Sequence, residues 1–352
     1  MFSVELPLMS WSSRQLNTLI QRVEVIRIFA TSKLWYKASA LPLPPKYAKK
    51  FESAIFRFLW IGKLEKLKLD EIKNPVLYGG LGLPCVMSKA DSLFLTQTCR
   101  LISDSGNKQY KHIQYWLGLY VREYFPDMGM GPHAELISPY FFHMKALLVG
   151  GILLGDVKAR RLGETTAKNL YASFTSSFPP AKIEYKFADV EWSRVWRRLQ
   201  SPMLEAGARE IFFLLINNII ANRDRLFSKF RMVPSPNCVL CNVLHDNVHV
   251  FCECILVRES WFWIRQRLLG MLPDLFRMSS NFEFLNLMFE SDIMDSEVVW
   301  LLGAYVQLVW DSVICKKKYL KLETMKSELS MKYLTHQRSN MPNLGHIVGL
   351  HH

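Results

Sequence analysis

The stretch Cys238-Val-Leu-Cys241-Asn-Val-Leu-His245-Asp-Asn-Val-His249-Val-Phe-Cys252-Glu-Cys254 constrains this chain more than any other. Four of the seven cysteines fall inside it, among two histidines. A two-residue gap lets a tight turn aim Cys238 and Cys241 at one point. His249 and Cys254 complete the pattern C-x2-C-x7-H-x4-C. Thiolates and an imidazole together suit Zn²⁺, and four protein ligands leave no position for water. The expectation is a closed, structural zinc site. Six side chains compete for the four places, so Cys252 and His245 stay open as alternatives. After His249, Cys254, Val257, Trp261, Ile264 and Leu268 recur at helical spacing, which favours Cys254 over Cys252. His245 reads as an exposed loop residue.

Clustered cysteines of this kind point to intracellular metal chemistry rather than a disulfide framework. The opening residues, MFSVELPLMSW, lack the basic start and apolar core of a secretory signal. The longest apolar runs, Ile211 to Ile220 and Val298 to Trp310, are shorter than the ~20 residues of a spanning helix and read as buried helices. No membrane partner is expected. The chain carries a net charge of +13, unevenly spread: residues 10–73 hold 13 Lys/Arg against 5 Asp/Glu, and residues 316–338 hold 7 against 2. Residues 269–315 run the other way, with 1 against 7. Basic surfaces of this size attract phosphate backbones.

Apolar periodicity predicts a mostly α-helical fold. One helix is expected from Ser10 to Ala40, capped by Ser12 or Ser13, and a second from Pro45 to about Trp60. Lys46, Lys49, Lys50 and Arg57 fall outside the second helix's apolar face, where they can meet an anion. Lys63 to Lys73 is a basic connector. Gly79-Gly-Leu-Gly-Leu83 lacks the Gly-Lys-Ser/Thr of a P-loop and reads as a sharp turn against a core. Further helices are expected over Ser88 to Ile102, Tyr110 to Phe125, Pro139 to Leu154, Glu205 to Asn222 and Val298 to Tyr319. Trp192 and Trp196 sit at helical spacing, which favours core packing over base stacking.

In order and spacing, these residues resemble the carboxy-terminal part of non-LTR (LINE-type) retrotransposon reverse transcriptases. One set is Lys33-Leu-Trp-Tyr36, Leu41-Pro-Leu-Pro44, Phe58-Leu-Trp60, Gly62-Lys63 and Gly79-Gly-Leu-Gly-Leu83. The other is Trp192, Trp196, Arg223-Asp-Arg-Leu226, Cys238-x-x-Cys241, His249-Val-Phe251, Cys254 and Val257-Arg-Glu-x-Trp261. The resemblance covers residues 10–100 and 190–265. It implies a helical thumb over 1–103, a helical connector over 104–188, a reverse-transcriptase-type zinc-binding domain over 189–275 and a C-terminal helical region over 276–352. It implies structural Zn²⁺ on Cys238, Cys241, His249 and Cys254. The family often carries an acidic residue where His245 stands, which keeps His245 open as a ligand.

The implied partner is RNA or RNA–DNA duplex, held by Lys46, Lys49, Lys50, Lys63, Lys66 and Lys68 in the thumb and Arg223 and Arg225 beside the zinc. Element-encoded or host proteins are further partners. The family copies itself at chromosomal DNA, so the expected location is intracellular, in the nucleus or the cytoplasm. The family's polymerase needs adjacent aspartates to hold its metal ions, and no Asp-Asp pair occurs in this chain. The expectation is therefore a non-catalytic nucleic-acid-binding fragment. Its rivals are a domesticated remnant serving as a protein-interaction module, and part of an active polymerase whose palm is encoded upstream.

Overall fold

The computed structural model describes residues 18–60, 67–121, 138–153, 166–176, 180–271, 280–289 and 296–337. The fold is mostly α-helical, and no strand occurs among the described residues. Pairing between extended segments is limited to one isolated antiparallel bridge, Asn237 with Leu244. The chain forms two compact units. The first holds residues 1–74 and 81–179; the second holds 75–80 and 180–352. This division differs from the four regions expected from the sequence. The expected connector shares a core with the thumb-like helices, and the C-terminal helices share one with the cysteine-rich segment.

In the first unit, helix α1 (Leu19–Val25) starts at Thr18, whose hydroxyl accepts from the Gln21 N–H while the Gln21 side chain returns the bond. This capping box places the start at Leu19 rather than at Ser10; Ser12 and Ser13 lie outside the described residues. A wide π segment, Ile26–Ala30, separates α1 from α2 (Ser32–Ala38), so the expected single helix is interrupted. Helix α3 (Pro45–Trp60) follows the expectation closely. It buries Ala48, Phe51, Ile55, Phe58, Leu59 and Trp60 and exposes Lys46, Lys49, Lys50 and Arg57.

Lys73, at the end of α4 (Leu69–Lys73), is buried and reaches the Glu52 carboxylate on α3 at 2.9 Å. Burial pushes the Lys73 ammonium down, but its hydrogen bond and attraction to Glu52 win and hold it above its ordinary value. The unit is centred on α5 (Val86–Ser103), against which α2, α3, α6 (Tyr110–Val121), α7 (Pro139–Leu153) and α8 (Ala167–Thr175) pack. Phe94, Leu95, Ile113, Leu117, Met144 and Leu148 fill the space between α5, α6 and α7.

The second unit begins with a 3₁₀ turn, Val76–Tyr78, closed by Gly79 at φ 78°. A Cβ at Gly79 would stand 2.6 Å from Trp196 Cζ2 and 2.7 Å from Ala181 Cβ. The glycine turn is thus a packing device, as the missing P-loop lysine suggested. Trp196 and Trp192 lie on α10 (Trp192–Leu199), stacked on each other with centroids 5.3 Å apart and both buried. Their indole N–H groups donate to Glu184 Oε1, on α9 (Lys182–Lys186), and to the Phe187 carbonyl.

Helix α11 (Ala206–Ile216) ends earlier than the apolar run suggests. Asn218 takes φ 50°, its N–H donates to Leu215 O at 2.8 Å, and the Ile219 N–H reaches back to Leu214 O at 2.9 Å. These are the two bonds of a Schellman cap with Asn at the left-handed position. After α12 (Arg223–Ser228) and the cysteine-rich segment come α13 (Arg258–Met271), α14 (Asn281–Leu285), α15 (Ser296–Val309) and α16 (Leu322–Gln337). Helix α15 continues as a π segment, Trp310–Cys315. Together, Glu297–Cys315 is long and apolar enough to cross a membrane, but 67% of it is buried inside the unit. It packs against α11, α13 and α16 as a core helix.

Candidate metal centre

Two local turns build the site. In the first, the Cys238 N–H donates to Val243 O at 2.7 Å and the Asn242 N–H to Cys238 O at 3.0 Å. Asn242 turns the chain at φ 54°, a left-handed conformation that asparagine tolerates better than most residues. This knuckle brings the Cys238 and Cys241 sulfurs together. The second turn starts at Asp246, whose Oδ1 accepts from the His249 N–H at 2.8 Å. A π turn, His249–Glu253, follows, and the Cys254 N–H closes it on His249 O at 2.7 Å. One wide turn therefore delivers His249 and Cys254 to the same point. Cys254 is not on the following helix, as its spacing suggested. Its backbone is extended at φ −58°, ψ 140°, and its carbonyl accepts from Val257 and Arg258 as α13 begins. Val257, Trp261, Ile264 and Leu268 do form the buried stripe.

The ligand atoms of Cys238, Cys241, His249 and Cys254 all lie within 4.8 Å of one another. The Cys241 and Cys254 sulfurs are 3.9 Å apart. Bonds of about 2.3 Å from sulfur to a tetrahedral zinc put two sulfurs ~3.8 Å apart, so this spacing fits. Donor chemistry agrees. His249 is 2% exposed, and neither ring nitrogen has a hydrogen-bond partner among the described residues. A metal on one nitrogen would relieve a polar group whose burial otherwise costs about 1–3 kcal/mol.

The thiols show the same need for a cation. Burial raises the Cys254 thiol to about 12, with the Cys238 and Cys241 sulfurs adding to the shift. Burial also raises Cys238, but the Cys241 and Leu240 backbone N–H groups and the neighbouring thiols more than offset it and hold Cys238 below its ordinary value. The Ile255 N–H approaches Cys241 Sγ at 3.5 Å. Amides aimed at sulfur stabilise thiolates, and a bound dication would offset the burial, and the smaller repulsion, that keep Cys254 protonated.

The two alternative ligands go elsewhere. Cys252 is 1% exposed and outside the cluster, and burial drives its thiol well above the ordinary range. His245 is not the exposed loop residue expected from the sequence. It is half-buried, and its Nδ1 accepts from the Arg223 N–H at 3.1 Å. Burial first, then His249, Arg223 and Lys317, lower its pKa. The neutral ring and the His245 carbonyl, which takes the Asp224 N–H, anchor the start of α12 to the knuckle.

Of the predicted nucleic-acid contacts, Lys46, Lys49, Lys50 and Lys68 are exposed in the first unit. Lys63 and Lys66 lie outside the described residues. Arg223 and Arg225 do not sit as open cations. Arg223 Nε donates to Asn237 O at 2.7 Å, and an Arg225 terminal nitrogen to Asn218 O at 2.6 Å. Both brace the loops around the knuckle. Sequence reasoning missed Asn222, the N-cap of α12, which also donates to Asn247 Oδ1 at 2.7 Å. It also missed Tyr305, a fully buried residue of α15 whose hydroxyl donates to Phe251 O in the π turn. Asn before Arg-Asp-Arg is a cap signal that was readable; Tyr305 carries no signal short of the fold. The chain is thus a mostly helical protein whose Cys238, Cys241, His249 and Cys254 could hold a metal ion such as zinc. No protein-family model matches the sequence, and no curated protein matches it either.

Proposed function

We propose that the chain is a non-catalytic nucleic-acid-binding protein of the type its sequence resembles, a reverse-transcriptase thumb and zinc-binding region, located in the nucleus or cytoplasm. Zinc on Cys238, Cys241, His249 and Cys254 would be structural. The observation that carries this reading is α3, which buries one face in the first unit and exposes Lys46, Lys49, Lys50 and Arg57 on others. A helix held rigidly by its apolar side while its lysines stay in water suits a ligand bound through phosphates. Lys68, exposed at the N-cap of α4, adds to that charge.

The test is a titration of the full chain with single-stranded RNA and with RNA–DNA duplex at several salt concentrations. Each phosphate neutralised contributes about 0.7–0.9 to the slope of log K against log salt. Replacing Lys46, Lys49 and Lys50 with alanine should lower that slope by roughly 2–3 and leave the metal content unchanged. Binding that ignores salt, or a triple variant that binds like the parent, would defeat the proposal.

A further inference from the structure

A groove runs beside the knuckle in the second unit, with a volume of about 420 Å³. Leu226, Val233, Val250, Leu256, Val313 and Ile314 contribute to its aliphatic lining. Its wall includes Val239 and Leu240, which stand 78% and 61% exposed at the tip of the knuckle. Apolar surface continues past the groove through Met232 and Ile255, both exposed. A small apolar ligand would leave that outer surface in water. A peptide presenting several side chains would cover it.

The charged side chains that line the groove have one sign. Arg223 and Lys317 line it, with the half-buried His245, and no carboxylate does among the described residues. Lys316 and Lys318 flank Lys317, and all three are exposed. Lys317 holds a left-handed φ of 56°, and the neighbouring Lys318 N–H is tied back to Ser312 O at 2.9 Å. This left-handed turn ends the π segment and fixes where the exposed lysines stand beside the groove. Among the described residues no Phe, Tyr or Trp lines the groove, so they offer no aromatic platform for stacking bases.

We infer that this groove docks an amphipathic peptide segment of a protein partner, with aliphatic side chains on one face and carboxylates positioned to meet Lys316, Lys317 and Lys318. The apolar face enters between Leu226, Leu240 and Val313, in the manner of a helix laid in a groove. The cationic rim sets orientation and selects against basic segments. The site is independent of the α3 lysines, so it can fail or stand without regard to RNA binding.

The probe is a fluorescein-labelled four-turn peptide with leucines at i, i+3, i+4 and i+7 and glutamates on the opposite face, titrated onto the full chain by anisotropy. A counterpart with lysine for every glutamate and a single-stranded RNA serve as comparators. Leu240→Asp and Lys317→Glu should each weaken the acidic peptide at least tenfold, and Lys317→Glu should improve binding of the lysine peptide. Circular dichroism and metal content report whether each variant is folded. Should Leu240→Asp disturb the knuckle, Lys317→Glu and the charge exchange decide alone. The inference is overturned if the two peptides bind alike, if Lys317→Glu changes neither, or if RNA displaces the acidic peptide and loses affinity in Leu240→Asp.

Discussion

Both ring nitrogens of His249 are buried without a partner among the described residues, while two residues earlier in the same segment Asn247 accepts from Asn222 and donates to Asn218. Polar groups are satisfied with care here, so the unsatisfied imidazole fits a metal-binding role better than loose packing. The same contrast separates two cysteines two positions apart in sequence. Cys254 belongs to the candidate ligand cluster, and Cys252 is buried outside it, with its thiol driven up by that burial. Cys254→Ser should therefore abolish stoichiometric zinc in the purified protein, while Cys252→Ala should keep one zinc per chain and lose about 1–2 kcal/mol from the filled core. Metal analysis by mass spectrometry separates them; zinc lost equally from both variants would refute the assignment. That Cys238, Cys241, His249 and Cys254 come together was legible because a chelate needs short, fixed spacings, and spacing is what a sequence displays. The role of His245 was not legible. It depends on the Arg223 N–H, which lies 22 positions earlier and meets the ring only in the folded chain.

Among elements, helix existence could be read from periodicity, but helix ends and winding could not. Leu19 to Ala38 looks like one helix because a π segment still places apolar residues on a buried side. Cys254 looks helical for the same reason, although it follows a π turn and stands before α13. The 3₁₀ turn at Val76–Tyr78 shows what periodicity omits altogether. Gly79 lies under Trp196, more than a hundred positions later, and that contact decides which residue position 79 accepts. Gly79→Ala requires a left-handed alanine and a Cβ at 2.6 Å from the indole, which we expect to cost roughly 2–4 kcal/mol. Trp196→Phe removes the indole's outer ring, so the double variant should recover at least ~1 kcal/mol of that loss. Denaturant unfolding of the four proteins gives the coupling. Purely additive effects would show that the Gly79–Trp196 approach is not what the glycine serves.

At the scale of the whole chain, residues 75–80 group with residues 180–352 although they interrupt the first unit in sequence. A boundary search along the sequence cannot find such an arrangement, because composition does not change at Pro75. The second unit is also where the candidate ligands are tied to the core. Tyr305 of α15 holds the π turn through Phe251 O, Leu320 N–H donates to Leu256 O, and the Ser260 hydroxyl donates to Leu320 O. The ligands thus stand on segments tied to α13, α15 and the start of α16. Withdrawing a structural zinc, worth on the order of 10 kcal/mol in small zinc domains, should release more than the knuckle. Hydrogen exchange on the full chain before and after chelation measures how far the loss spreads. Amides of residues 237–271 should lose protection, and those of α15 should follow through Tyr305. The amides of α5 and α6, whose shared core of Phe94, Leu95 and Leu117 contains no candidate ligand, should keep theirs. Protection that survives chelation around Cys238 and Cys254 would mean the sulfurs and His249 are held by packing alone. Loss confined to residues 237–254 would mean Tyr305 does not couple the centre to the core. A chain that unfolds in α5 as readily as in α13 would mean the first unit also depends on the metal, which its self-contained core argues against.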